Sequence, residues 1–332
     1  MDDISIIKQY VLEQVKEQKM DREMALRMLK GLSDKSKKNQ CDIAIIGISC
    51  RFSKANNAKE YWQNIMNRAS CIRDLPEKRR KDIDPLLPSA NENSYFRAGF
   101  LDEIDKFDSS FFRISPREAM LMDPKQRLFL ETVYHAIEDS GYAGNKLQGS
   151  NTGIFVGHDH SGDLKFSYAS LVKDADMIAM TGTYPGILAS RTSYIFNLKG
   201  PSLVVDTACS SGLVSVHLAC EALKNEECSM AIAGGVNLFL RPENIGTMSE
   251  IEAENAKISI FDKNAKGTAW GEGISAIVLK PLHRAIEDRD HIYAVIKGSA
   301  TNNDGASNGI TAPNAESQEK LISRAWKNAN IS

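Results

Sequence analysis

A chain of 332 residues can hold one large α/β domain and a small appendage. Its 41 Lys and Arg balance 43 Asp and Glu, so the charge gives no argument for nucleic acid or an anionic membrane surface as partner. No apolar run reaches the length of a membrane span, the N-terminus lacks the apolar core of a signal peptide, and six cysteines without paired spacing suit a reducing cytoplasm. Without a CxxC pair or a Cys/His cluster, no metal is expected.

In chain order, residues 1–32 read as two short amphipathic helices. Ile7, Val11 and Val15 recur every four residues, and after a break at Lys19-Met20 a second helix follows. Asp21 is its N-cap, Met24, Met28 and Leu29 its apolar residues, and Gly31 its stop. Two such helices cannot bury both apolar faces alone. The pair either packs on the main domain or docks another protein, and docking is the expectation. The polar run Ser33 to Gln40 reads as a linker, which starts the main domain at Cys41.

The main domain opens with Asp42 to Ile48, a continuous apolar run of the buried-strand type. A loop-rich stretch contains Lys78-Arg79-Arg80-Lys81, expected as solvated surface, with a site for an acidic partner as the lesser alternative. Helical spacing returns from Pro116 to Ser140 through Met120, Leu121, Leu128, Val133 and Ile137. Further strands are expected at Gly153–Gly157, Leu203–Val205, Met230–Ala233, Ile274–Leu279 and Ile292–Ile296. Helical stretches separate most of them, which predicts a mostly parallel sheet with helices on both faces. Gly271-Glu272-Gly273 lacks the G-x-G-x-x-G pattern and a P-loop lysine, so it reads as a tight turn. An Asn/Asp/Gly-rich loop and a helix near Ala315 to Asn330 close the chain.

One segment carries chemistry. From Ser202 to Asp206 an apolar run ends in Thr207, Ala208, Cys209, Ser210, Ser211 and Gly212, and Leu213, Val216, His217 and Cys220 continue at helical spacing. That is a strand, a sharp turn and a helix, with a thiol at the turn. Backbone N–H groups and the positive end of the helix dipole at that point favour a thiolate, the reactive form. The same strand–turn–helix device raises the serine of many hydrolases. A free cysteine more often packs as a small hydrophobe, but the small neighbours leave room for a substrate. Cys41, Cys50, Cys71, Cys220 and Cys228 have no such turn.

A nucleophilic cysteine normally has a histidine within hydrogen-bond reach. His217 is eight residues on in the same helix, roughly 12 Å along its axis, and so beyond direct contact. By the same arithmetic Cys220 lies about 16 Å away and forms no disulfide with Cys209. His158 and His160 follow a buried strand, where α/β sites gather, and are the only in-chain candidates for a base. His135, His283 and His291 have no argument for them. The sequence supplies a nucleophile and no convincing base.

The run from Gly200-Pro201-Ser202 through Asp206-Thr207-Ala208-Cys209-Ser210-Ser211 resembles the active-site signature of β-ketoacyl synthases, specifically the ketosynthase domains of modular polyketide synthases. Other blocks similar to that family keep the same order. They are Asp123-Pro124-Lys125-Gln126-Arg127-Leu128-Phe129-Leu130-Glu131, Gly153-Ile154-Phe155-Val156-Gly157, Ala233-Gly234-Gly235-Val236-Asn237, Gly271-Glu272-Gly273, Asn303-Asp304-Gly305, Ser307-Asn308-Gly309 and Thr311-Ala312-Pro313-Asn314. The resemblance covers about residues 41 to 332. Residues 1–32 are similar to helical segments that precede ketosynthases in bacterial synthases with a separate acyltransferase.

The resemblance implies a thiolase-like α/β fold of two similar halves, each a five-stranded mixed sheet between helices. It implies Cys209 as nucleophile, with Thr207, Ala208, Ser210 and Ser211 supporting its turn. Acyl and malonyl groups would arrive on the phosphopantetheine of acyl carrier proteins, with no tightly bound cofactor. The strand Leu203 to Asp206 would lie at a sheet edge and pair with its copy in a homodimer. Two family histidines, in H-G-T-G-T-like and N-x-G-H-like segments, have no counterpart in this sequence. The chain is therefore expected to carry the first half and only the start of the second, as an incomplete enzyme unable to condense alone. The remaining half would lie on a longer chain or a partner, among other synthase modules. A non-catalytic half-domain, or another cysteine enzyme using His158 or His160, remains as an alternative.

Overall fold

A computed structural model describes residues 3–17, 19–39, 41–86, 95–158, 177–240, 242 and 258–331. The expected strands all form. They are β1 (Ile43–Phe52), β3 (Thr152–His158), β4 (Ser202–Val205), β5 (Met230–Asn237), β7 (Gly273–Pro281) and β8 (Ala294–Ile296); β2 (Ala98–Gly99) and β6 (Trp270–Gly271) make a small separate parallel pair. The main sheet has the order β4-β3-β5-β7-β1-β8.

The sheet is not mostly parallel. β4, β3 and β5 run parallel, whereas the β5–β7, β7–β1 and β1–β8 pairs are antiparallel. Strands buried on both faces read as continuous apolar runs whatever their direction, so periodicity could not tell the two apart. The sheet has six strands among the described residues rather than five, because β8 adds to the free side of β1 through Ile43, Ala44 and Ile45.

Alternation along each strand feeds two cores. Ala44, Ile46, Ile154, Val156 and Ile232 face one side with helix α6 (Pro124–Asp139) and helix α8 (Ile187–Phe196). Ile43, Phe155, Ala231 and Ala233 face the other with helix α9 (Ser211–Lys224). Each fully buried Ile, Val or Leu contributes about 1.5–3 kcal/mol. The second of these layers holds α9 against the sheet by its inner face.

The helix expected from Pro116 to Ser140 is two helices, α5 (Pro116–Leu121) and α6. The break is local chemistry. Asp123 precedes Pro124 and so avoids the helical region, adopting ψ 134°, and its Oδ1 accepts from the Lys125 N–H at 2.7 Å.

At the N-terminus, α1 (Asp3–Lys16) and α2 (Arg22–Asn39) pack together, and Asp21 caps the second through the N–H groups of Glu23 and Met24. Gly31 does not stop α2, which runs on helical to Asn39. Val11 and Ala25 are buried, while Ile7, Tyr10, Leu12, Met24, Leu26 and Met28 stay exposed.

The basic run is not simply solvated. It lies at helix α4 (Glu77–Ile83), where Lys78 pairs with Glu103 and Lys81 with Glu77. Arg79 is buried and grips Glu272 with two hydrogen bonds, of 2.9 and 3.1 Å. Glu272 in turn accepts from the N–H groups of Leu101 and Phe239, at 2.8 and 2.9 Å. Arg79 also donates to the carbonyls of Leu101 and Phe239. A buried ion pair tolerates desolvation only when its remaining donors and acceptors are met in this way.

Candidate active site

Cys209 sits where the sequence placed it, exposed, in a 3-10 turn (Ala208–Ser210) between β4 and α9. The turn is tight because Ala208 takes φ +53°, a left-handed conformation that costs an alanine roughly 1–2 kcal/mol. Its neighbours hold it there. The Ala208 N–H donates to Asp206 Oδ1 at 3.1 Å, and the Thr207 N–H donates to Ser211 Oγ at 2.9 Å. The buried Ser211 hydroxyl donates onward to the Ala208 carbonyl at 2.7 Å. Ser210 Oγ lies 2.8 Å from the Thr207 carbonyl and 2.9 Å from its hydroxyl. All four small residues around Cys209 are thus occupied in closing the turn.

Glycines let α9 begin this close to the sheet. A Cβ on Gly157 of β3 would lie 2.6 Å from the Gly212 nitrogen and the Ser211 carbonyl carbon. Gly235 also faces Gly212, where a Cβ would lie at an ordinary 3.6 Å from its Cα, and one turn on, Ser215 Oγ donates to the Gly234 carbonyl at 2.8 Å. The N-terminus of α9, and Cys209 with it, therefore rests on backbone.

The other thiols are chemically muted. Burial pushes Cys50, Cys220 and Cys228 up to about 11, and it raises Cys41 too. Cys71 is half-buried and donates weakly to the Ala69 carbonyl.

The histidines are dispersed. His158 is buried at the end of β3, opposite Val236, and His160 lies outside the described residues. His135 is exposed, 3.5 Å from Glu138, and His291 stacks edge-on against Tyr293. His217 Nδ1 lies 2.8 Å from Ser299 Oγ, on the segment that follows β8. Among the described residues no group of His, Cys, Asp or Glu is arranged to hold a metal ion, and no helix is long and apolar enough to cross a membrane.

Sequence reading missed the long-range polar clusters that tie the helices and loops of the domain together. Arg191 of α8 donates to Gln126 at 2.9 Å and to Glu118 at 2.6 Å, tying α5, α6 and α8 together. Gln126 and Glu118 stand 65 and 73 residues from Arg191, beyond any local pattern. The Arg79–Glu272 pair, 193 residues apart, was hidden for the same reason.

This strand, strained turn and glycine-seated helix belong to a known family. The beta-ketoacyl synthase N-terminal domain matches residues 40–285, and the beta-ketoacyl synthase C-terminal domain matches residues 293–332. The chain belongs to the β-ketoacyl synthase family. It is 44% identical over 296 residues to the polyketide synthase PksM of Bacillus subtilis, covering 87% of this chain and 7% of that protein. The ketosynthase from module 6 of the bacillaene synthase of Bacillus subtilis matches at TM-score 0.73 and 41% identity, over 87% of this chain and 49% of that one. The oxazolomycin ketosynthase domain OzmH KS7 of Streptomyces albus matches at TM-score 0.75 and 32% identity, over 88% and 51%. The chain thus spans about half the length of these solved ketosynthases.

These matches correct two expectations. The chain is not an N-terminal portion alone, because residues 293–332 match the C-terminal domain of the family. The thiolase-like fold is likewise not a first half with a bare start of the second. β8 and helix α11 (Ala315–Asn328) come from the C-terminal match, and β8 completes the same sheet. The expectation of an incomplete enzyme was drawn from the two absent histidine motifs, and the matches to both family domains do not support it.

Proposed function

We propose that this chain acts as a ketosynthase of a polyketide synthase, with Cys209 as its acyl-accepting nucleophile. The observation that carries the reading is an exposed thiol on a strained turn at the start of a helix seated on glycines. Acyl chains arrive on the phosphopantetheine arm of an acyl carrier protein. Cys209 gives its proton to solvent, the resulting thiolate attacks the thioester carbonyl, the carbon–sulfur bond to the arm breaks, and the departing arm thiolate takes a proton back from solvent. The Cys209 N–H, in the turn just before α9, contributes a hydrogen bond to the oxyanion formed on the way. The bound acyl group is then condensed with a malonyl carrier, with loss of carbon dioxide. Thr207, Ala208, Ser210 and Ser211 hold the turn and take no part in bond making. A cysteine-to-serine variant of the bacillaene module 6 ketosynthase is among the solved relatives, at TM-score 0.74, which supports a cysteine as the residue of interest.

In this reading residues 41–332 form the ketosynthase domain, residues 1–32 a helical docking segment and residues 33–40 the connection between them. The exposed apolar side chains of α1 and α2 suit a partner helix pair. Two copies of the chain pair through β4, an edge strand with Leu203 exposed, since an uncovered edge otherwise invites aggregation. The setting is the cytoplasm, beside other synthase modules. The test is incubation with an acylated carrier protein, followed by peptide mapping. Acyl transfer to Cys209, abolished in Cys209→Ala, is expected; an unmodified Cys209 overturns the proposal.

A further inference from the structure

His217 belongs to no part of the reaction described so far. It stands two residues after Ser215 on α9, about 200° around the helix at 3.6 residues per turn. Ser215 fastens the inner face of α9 to the Gly234 carbonyl of the sheet. On the opposite side, His217 Nδ1 meets Ser299 Oγ at 2.8 Å.

Ser299 is itself anchored. Its carbonyl accepts from Asn328 Nδ2 of α11 at 2.9 Å. Its neighbour Gly298 has α11 directly on its backbone, where a Cβ would lie 2.5 Å from the Ala329 nitrogen. β8, just before it, is laddered to β1, and Lys297 pairs with Asp42. Ser299 is thus a fixed point, built from the stretch that matches the C-terminal family domain.

The inner face of α9 near Cys209 is glycine and serine against glycine. Such a surface sets the height of a helix above the sheet, yet offers few side-chain steps against sliding or rotation. A directional hydrogen bond on the far side supplies that constraint. We propose that His217 is a positioning residue, which with Ser299 fixes the axial and rotational setting of α9 and so the place of Cys209. The proposal rests on Cys209 being the acylated thiol. It requires no proton transfer by His217, because the serine hydroxyl can donate to a neutral imidazole or accept from a protonated one.

The test measures acylation of Cys209 in the full chain by acetyl-N-acetylcysteamine, a small thioester, using intact mass and peptide mapping. His217→Ala and Ser299→Ala are each expected to slow it three- to tenfold, since displacements near 1 Å can cost up to about a hundredfold. The double variant should be no slower than either single, and His217→Asn should recover most of the rate. Melting midpoints should stay within about 3 °C of the parent, the scale of one partly exposed hydrogen bond. The loss should be the same from pH 6 to 8; a loss confined to one end of that range would make His217 an acid or base and overturn the proposal. Unchanged rates, or losses that multiply in the double variant, would also overturn it. If the parent chain does not load Cys209, the proposed function fails separately. Amide hydrogen exchange over residues 207–216 then decides: faster exchange in both single variants upholds the positioning role, and unchanged exchange removes it.

Discussion

Gly157→Ala is the sharpest probe of how the site is built. The added methyl would sit 2.6 Å from the Gly212 nitrogen and the Ser211 carbonyl carbon, and 2.8 Å from the Gly212 Cα. Ordinary contact needs at least about 3.4 Å, so the start of α9 must retreat from β3 by about 1 Å. All three opposing atoms are backbone, and no side chain can swing aside. Overpacking of this kind costs about 1–3 kcal/mol, which lowers the melting midpoint by several degrees in a chain of this size. The larger effect should fall on chemistry. Ser211 holds Ala208 and the Thr207 N–H in the turn, so moving Ser211 moves Cys209, and the rate of Cys209 acylation should drop ten- to a hundredfold. Gly212→Ala is the control, because a Cβ there points into open space. Circular dichroism melts and thioester loading followed by mass spectrometry read both effects. A Gly157→Ala protein with parental melting and parental loading would refute the close seating of α9 on β3.

Other outcomes follow from the same structure. Ala208→Gly removes the left-handed penalty at φ +53° and should raise stability by about 0.5–1 kcal/mol in denaturant titration, after the entropy of glycine is set against it; a loss of stability would contradict the strain. Glu272→Gln leaves Arg79 buried without its charge partner and should cost about 3–5 kcal/mol, with Arg79→Met/Glu272→Leu recovering part of that; equal stability of all three proteins would dismiss the pair as structural. At pH 8 a thiol reagent should modify Cys209 fastest and spare Cys50, Cys220 and Cys228 until the chain unfolds. Those three thiols hold their protons to about pH 11 when folded but lose them near 8.5 when unfolded, so stability should fall, not rise, between pH 9 and 11. Removing residues 1–40 should leave a cooperative melt like that of the full chain, and loss of the transition would make α1 and α2 part of the core.

Much of the architecture was legible because buried strands and capped helices write themselves locally. β1, β3, β5 and β7 each carry the apolar run of a strand covered on both faces, and β4 a shorter one at the sheet edge, whereas the helix start at Asp123-Pro124 was read through as part of one longer helix. The Cys209 turn could be read from small polar residues between a strand and a helix. Strand direction was not legible, since β7, antiparallel to both β5 and β1, is as apolar as the parallel strands β3 and β5. Neither was the left-handed Ala208: nothing about an alanine signals positive φ, and only the hydrogen bonds of Asp206, Thr207 and Ser211 explain it. Gly31 misled in the opposite sense, because one glycine costs a helix only about 1 kcal/mol and α2 continues through it. Arg79 looked like one of four surface cations. Its partner Glu272 sits inside what reads as a turn of glycines, and only the fold brings the two together.

The central claim is that the exposed Cys209, and no other thiol of this chain, takes an acyl group from a thioester. The most direct measurement is time-resolved peptide mapping after mixing the full chain with an acylated acyl carrier protein at pH 7.5. One acyl adduct per chain, confined to the peptide bearing Cys209 and absent in Cys209→Ala, is the predicted result. An adduct spread over Cys41, Cys71 and Cys209, or one that survives the Cys209→Ala substitution, would contradict the account.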